Sequence, residues 1–151
     1  MTRFTILCQF NGGCMGCCGH DFGTKEQIKE AIKINTEELD KINPKSKAQF
    51  MKFRDRNHPM DLRYGVCRNL IIRGEIMFCP LHPSLHGTDL RKGHCDINYL
   101  CLTGKEFETW KKEKKDAFLR FVTEKKMDNI DYSILMENGE LLIEFKKTYQ
   151  D

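Results

Sequence analysis

Cys14-Met15-Gly16-Cys17-Cys18-Gly19-His20 places three sulfurs and an imidazole within seven residues, with glycines that let the backbone turn sharply between them. Thiolate and imidazole donors at this density are ligand chemistry for a metal ion or cluster. More thiols follow at Cys67, Cys79, Cys95 and Cys101, and Cys8 precedes the loop. The pattern predicts a chain whose middle returns to its amino-terminal loop and completes a discontinuous site there.

Composition bounds what such a site can belong to. A chain of 151 residues fits one domain, read here as a cysteine-rich core over 1–104 and a cysteine-free extension over 105–151. A net charge of +3 gives no global field that compels nucleic-acid binding. Met1 to Cys8 lacks the continuous apolar run of a signal peptide, and no later segment reaches the length of a membrane span. The expected location is cytoplasmic, without membrane contact. A reducing cytosol disfavours four disulfides as the reason for eight cysteines. Bridges within Cys14, Cys17 and Cys18 would also strain the loop, because bridged residues need separated, facing Cβ atoms.

The expected fold class is α+β, a small single domain with a Cys-ligated metal core. Phe4 to Phe10 reads as a short strand or extended lead-in. Thr24-Lys25-Glu26-Gln27 is a capping box that opens a helix over 24–42, with Ile28, Ala31, Ile32, Leu39 and Ile42 as its buried side and Pro44 as its stop. A second helix covers 46–56, with apolar contacts from Phe50, Met51 and Phe53, and Asn57-His58-Pro59 ends it. Two apolar runs around Arg73-Gly74 predict a hairpin over 66–79. Pro80 to Leu102 shows no period and reads as a loop held by ligation. A lysine-rich helix is expected over 106–126, with Phe107, Trp110, Ala117, Phe118, Phe121 and Val122 facing inward. Asn138-Gly139 between apolar runs predicts a second hairpin over 132–149.

The motif order is Cys14-x2-Cys17-Cys18, Cys67, Cys79-x2-His82 and His94-Cys95-x5-Cys101. Gly65-Val66-Cys67-Arg68-Asn69-Leu70 with Cys79-Pro80-Leu81-His82-Pro83 resembles the second half of the zinc- or iron-chelating CxxCxxCC family. Cys14-Met15-Gly16-Cys17-Cys18 is similar to that family's amino-terminal element, and the resemblance covers about the first hundred residues. Two departures stand out. The family's additional cysteine falls on Asn11, and its later Arg-Pro-x-x-Cys-Arg element is replaced by Leu90-Arg91-Lys92-Gly93-His94-Cys95. The resemblance implies a Cys-bound metal or an iron–sulfur centre.

The metal ligands expected from these patterns are Cys14, Cys17, Cys18, Cys67, Cys79 and Cys95, of which at least four sulfurs should meet. Cys8 and Cys101 lie in apolar stretches and read equally as small buried hydrophobes. His20 and His82 are open as ligands; His58, His86 and His94 carry no such signal. Thiolates favour a four-iron, four-sulfur cluster or Zn2+ over hard cations. Sulfur donors outnumber histidines and Cys17-Cys18 is vicinal, so an iron–sulfur cluster is preferred over zinc. No catalytic residue, acid–base pair or phosphate loop is legible: Gly12-Gly13 lacks the lysine and hydroxyl residue of a phosphate-binding loop. The expected function is therefore a cysteine-ligated metal-binding protein with a structural, redox or accessory role to a partner protein. The alternative is a zinc-stabilised module that contacts RNA or the ribosome through Lys111, Lys112, Lys114 and Lys115. Oligomeric state has no signature in the sequence.

Overall fold

The computed structural model describes residues 6–59 and 61–150, apart from the side chain of Cys17. Phe4 and Thr5, where the lead-in was expected to start, lie outside these residues. Its remainder is not extended: Ile6–Cys8 and Phe10–Gly12 are single 3-10 turns, and a third turn, Gly16–Cys18, carries the cysteine loop. Among the described residues the fold is α+β, with seven α-helices and two small antiparallel sheets. No described helix is long and apolar enough to cross a membrane.

Helix α1 (Lys25–Ile42) begins as the sequence predicts. The Thr24 hydroxyl accepts from the Gln27 N–H at 3.2 Å, and the Gln27 side chain accepts from the Thr24 N–H at 3.0 Å. Asn43, in the left-handed region at φ 46, ends it by donating its N–H to the Leu39 carbonyl. Ile28, Ala31, Ile32 and Leu39 are buried, but Ile42 in the last turn is exposed. Helix α2 (Lys47–Asp55) is capped by Ser46 and buries Phe53, while Met51 faces out.

The hairpin expected over 66–79 is present only in its distal half. Strands β3 (Ile71–Arg73) and β4 (Ile76–Phe78) pair with Ile71 opposite Phe78. Val66 and Cys67 form β2, which pairs back onto β1 (Leu62–Arg63) instead. Tyr64 and Gly65, at φ 51 and 82, supply the two positive-φ residues that a tight two-residue turn requires. A turn from the Cys67 carbonyl to the Leu70 N–H then separates the two sheets. The stretch after β4 contains one short helix, α3 (Pro83–His86), and is otherwise irregular.

The helix expected over 106–126 is two helices, α4 (Leu102–Thr109) and α5 (Lys112–Glu124). Trp110 and Lys111 between them are extended, which turns the indole into an aromatic cluster. Its ring lies 5.8 Å from Phe107, 5.7 Å from Phe118 and 5.4 Å from Phe145.

The hairpin expected over 132–149 is absent; two helices, α6 (Asn129–Glu137) and α7 (Glu140–Thr148), take its place. Gly139 at φ 81 serves here as a helix-stop glycine, donating its N–H to Met136 while the Asn138 N–H reaches Ile134. Ile130, Ser133 and Met136, then Leu141, Leu142 and Phe145, are buried at helical spacing.

Helix α6 also grips the cysteine loop. The Ser133 hydroxyl accepts from the Met15 N–H at 2.9 Å, and Asn129 Nδ2 donates to the Gly12 and Glu75 carbonyls, each at 3.0 Å. The Tyr132 hydroxyl donates to the Leu7 carbonyl at 2.7 Å, from a fully buried ring. The cysteine-free tail is thus direct support for the amino-terminal loop.

Candidate metal centre

Three sets of contacts bring the cysteines around one cavity. Gly19 forms an antiparallel bridge with Val66, the His20 N–H donates to the Gly65 carbonyl at 3.0 Å, and the Gly23 N–H donates to the Tyr64 carbonyl at 2.9 Å. This pairing joins the residue after Cys18 to the residue before Cys67, so the opening loop and the β1–β2 turn meet beside these two thiols. The approach is tight: a Cβ at Gly19 would overlap the Gly65 carbonyl oxygen.

From the other side, α1 fixes the turn that carries Cys67. Asn35 is fully buried and its Nδ2 donates to the carbonyls of Cys67 at 3.0 Å and Leu70 at 2.9 Å. The Thr36 hydroxyl accepts from the Ile72 N–H at 3.0 Å. Cys79 directly follows β4, so the β3–β4 pairing sets its position. Cys95 sits in the irregular segment, which Arg54 of α2 holds by donating from Nη1 to the Leu90 and Lys92 carbonyls at 3.1 and 3.3 Å. Arg91 closes a bidentate pair onto Asp89, both contacts at 2.9 Å.

The result is a cavity of about 620 Å³ lined by Cys8, Cys14, Cys18, Cys67, Cys79 and Cys95. It includes all five expected ligands whose side chains are described; the sixth, Cys17, lies outside the described side chains. Cys8 joins them, although its apolar setting gave no preference between ligand and hydrophobe. Cys101 does not line the cavity: it caps α4, its Sγ accepting from the Gly104 N–H at 3.3 Å. His20, His82 and His94 line the cavity too. His82 Nδ1 is engaged at the start of α3, accepting from the Ser84 N–H at 3.1 Å. His86 instead turns to the Pro80 carbonyl at 2.7 Å and lies edge-on to Phe50. Ile76, Leu85 and Tyr99 are exposed at the rim, and Tyr99 donates to Glu137 across it at 3.0 Å.

Sharing a cavity differs from meeting at a point. Among the described residues, no three His, Cys, Asp or Glu side chains converge closely enough to hold one ion. The expectation that at least four sulfurs would meet therefore does not describe this arrangement; the thiols encircle a space. The donor set still fits a thiophilic group by its chemistry, since cysteine is the commonest ligand type on the cavity wall, beside three histidines and three carboxylates.

Electrostatics separates this site from a nucleophilic one. Burial pushes the Cys14 thiol up to about 12, and burial also raises Cys67 and Cys79, with the neighbouring Cys67 and Cys95 thiols adding to the effect on Cys79. A catalytic cysteine needs the opposite shift, because the thiolate is the nucleophile. These thiols stay protonated at neutral pH until something displaces the proton.

Asn35, Ser133 and Asn129 were not legible as site residues from sequence. Each is a small polar residue within an otherwise helical pattern, and the only available signal is that Asn35 interrupts the apolar face between Ile32 and Leu39. Comparison with known proteins yields no match: no family model fits the chain, and neither a curated protein nor a solved structure is detectably similar to it.

Proposed function

We propose that this chain is a cysteine-ligated metal-binding protein, with an iron–sulfur cluster preferred over zinc, serving a structural, redox or accessory role. The observation that carries the reading is the single cavity walled by six thiols drawn from residues 8 to 95. In a chain without disulfides among its described cysteines, the placing of so many distant thiols on one cavity wall needs a cause. Metal ligation is one that also accounts for the irregular segment after β4.

Size favours more than a lone ion. A tetrahedral zinc with bonds of about 2.3 Å holds its sulfurs roughly 3.8 Å apart. A space of about 620 Å³ is more than a single ion fills. The ligands would come from Cys14, Cys18, Cys67, Cys79 and Cys95 on the cavity, with Cys17 from the same loop. When bound, an iron–sulfur cluster would supply one-electron transfer, whereas zinc would supply cross-linking alone. The chain's own part is to hold the loop against the β1–β2 turn and surrender thiol protons as metal enters.

The lysine-rich helix gives no independent support to an RNA or ribosome contact. Lys112 pairs with Asp116 and Lys125 with Glu144, both at 2.6 Å. Lys114 lies 4.8 Å from the Trp110 ring centroid and Lys115 lies 5.4 Å from that of Phe107. These cations cover the aromatic cluster of their own fold.

Purification without oxygen tests the proposal. Brown protein with bound iron and sulfide is expected. Colourless protein with stoichiometric zinc would reassign the metal, and protein without bound metal would end the reading.

A further inference from the structure

The stretch 41–52 runs from the end of α1 into α2 and carries Lys41, Lys45, Lys47 and Lys52 without one acidic residue. All four lysines are exposed. Among the described residues none of them makes an ion pair, whereas Lys25, Lys33, Lys112, Lys125 and Lys146 all do. The flanking acids are already met by arginines. Asp40 accepts from Arg73 at 2.7 Å, Asp55 accepts from Arg54 at 2.7 and 2.9 Å, and Glu38 pairs with Arg56 and Arg63. Four uncompensated positive charges therefore fall in one short stretch of a chain whose net charge is only +3.

The stretch has a defined course. Asn43 ends α1, the Ser46 hydroxyl accepts from the Gln49 N–H at 3.2 Å, and the Gln49 side chain accepts from the Lys45 N–H. Helix α2 turns Phe50 and Phe53 onto Leu39, Ile71 and Leu81, and it commits Arg54 to the carbonyls of Leu90 and Lys92. Lys47, Met51 and Lys52 remain outside, with Lys47 and Met51 one turn apart on the same face. Met51 and Ile42 expose 37% and 38% of their surface among these lysines.

Nucleic-acid faces add stacking rings or arginine forks to their cations, and here the rings and the arginine turn inward. Lysines around a few exposed apolar side chains suit an anionic bilayer instead: each cation gains from the negative surface potential, and apolar tips enter the headgroup layer. We propose that the face built by residues 41–52 docks on membrane surfaces rich in anionic phospholipid. Lying on a bilayer needs no spanning segment, so the expected lack of membrane contact holds for insertion only. Such docking does not depend on what fills the cavity.

The test is co-sedimentation of the full chain with phosphatidylcholine vesicles, with and without phosphatidylserine. Wild type should pellet only with the phosphatidylserine vesicles, and added salt should release it. Changing Lys41, Lys45, Lys47 and Lys52 together to Gln should weaken binding by about fivefold per lysine. Changing Lys29, Lys105, Lys126 and Lys147 together to Gln removes the same charge elsewhere and should leave most of the binding. Ile42→Gln with Met51→Gln keeps every charge and should weaken binding about tenfold. Circular dichroism establishes folding, and Lys47→Glu with Lys52→Glu replaces the first fourfold variant where that one does not fold. Wild type that fails to pellet at low salt, or equal loss in the two fourfold variants, would overturn the proposal. Salt-sensitive retention on RNA without retention on vesicles would overturn it in favour of a nucleic-acid contact.

Discussion

Gly19 and Val66 form an isolated antiparallel bridge, and this one pairing joins the opening loop, just after Cys18, to the chain's middle, just before Cys67. It joins segments more than forty residues apart at a point where backbone meets backbone. No side chain fits there, since a Cβ on Gly19 would meet the Gly65 carbonyl oxygen. Gly19→Ala should therefore destabilise the protein by about 3 kcal/mol, the upper end of the usual range for overpacking substitutions. A urea denaturation midpoint measures it. Gly74→Ala is the control: its Cβ meets nothing within 4 Å, so only its φ of 63 matters and a loss of about 1 kcal/mol is expected.

Asn35 predicts a second loss with a different origin. Replacing it by Ala removes the donor to the buried Leu70 carbonyl, while the Cys67 carbonyl loses one of two donors and keeps the Leu70 N–H. A cost of about 1–3 kcal/mol follows from one unsatisfied acceptor. Metal affinity should fall as well, because the turn that presents Cys67 loses its anchor. Asn35→Ala with unchanged stability and unchanged metal uptake would show that α1 does not position this thiol.

Alkaline pH probes the thiols themselves. Burial raises Cys14 from an ordinary value of 9.0 to about 12, so the folded chain holds this proton more tightly than the unfolded chain does. That contribution is fully present below about pH 9 and disappears as pH rises toward about 12; Cys67 and Cys79 act in the same direction. In reductant and chelator, the denaturation midpoint should fall across that window. Metal uptake should show the opposite trend and strengthen with rising pH, because each bound thiolate releases a proton. A midpoint that is flat across the window would mean the thiols are solvated in the folded chain.

The lysines of α5 and its approach give a negative prediction. Changing Lys111, Lys112, Lys114 and Lys115 together to Gln should leave metal content unchanged, with Lys114 and Lys115 costing about 0.5–1 kcal/mol each through their lost contacts with Trp110 and Phe107. No salt-sensitive retention on RNA is expected from the wild type. Retention that the fourfold variant abolishes would restore the RNA reading.

Much of the fold was legible where local chemistry acts alone. The capping box at Thr24 places the start of α1, because it satisfies its own opening N–H groups. Asn138-Gly139 misled because a positive-φ glycine ends a helix as readily as it turns a hairpin, and only the three-to-four spacing of Ile130, Ser133 and Met136 distinguishes them. Trp110 breaks the long lysine-rich helix for a tertiary reason, its ring's place among Phe107, Phe118 and Phe145, which spacing does not reveal. Cys67, Cys79 and Cys95, singled out by their chemistry, line the same cavity as Cys14 and Cys18 of the opening loop. Asn35, Ser133 and Asn129 were not legible, because their role is to meet backbone groups distant in sequence.

Elemental analysis of the wild-type chain purified without oxygen, with acid-labile sulfide measured alongside, addresses the central claim most directly. Stoichiometric thiophilic metal is predicted, iron with sulfide in the preferred form, and it should be lost from the Cys67→Ser, Cys79→Ser variant in whole or in part. Protein that carries no stoichiometric metal, binds none when iron or zinc is supplied, and has all its thiols equally open to alkylation would contradict the claim.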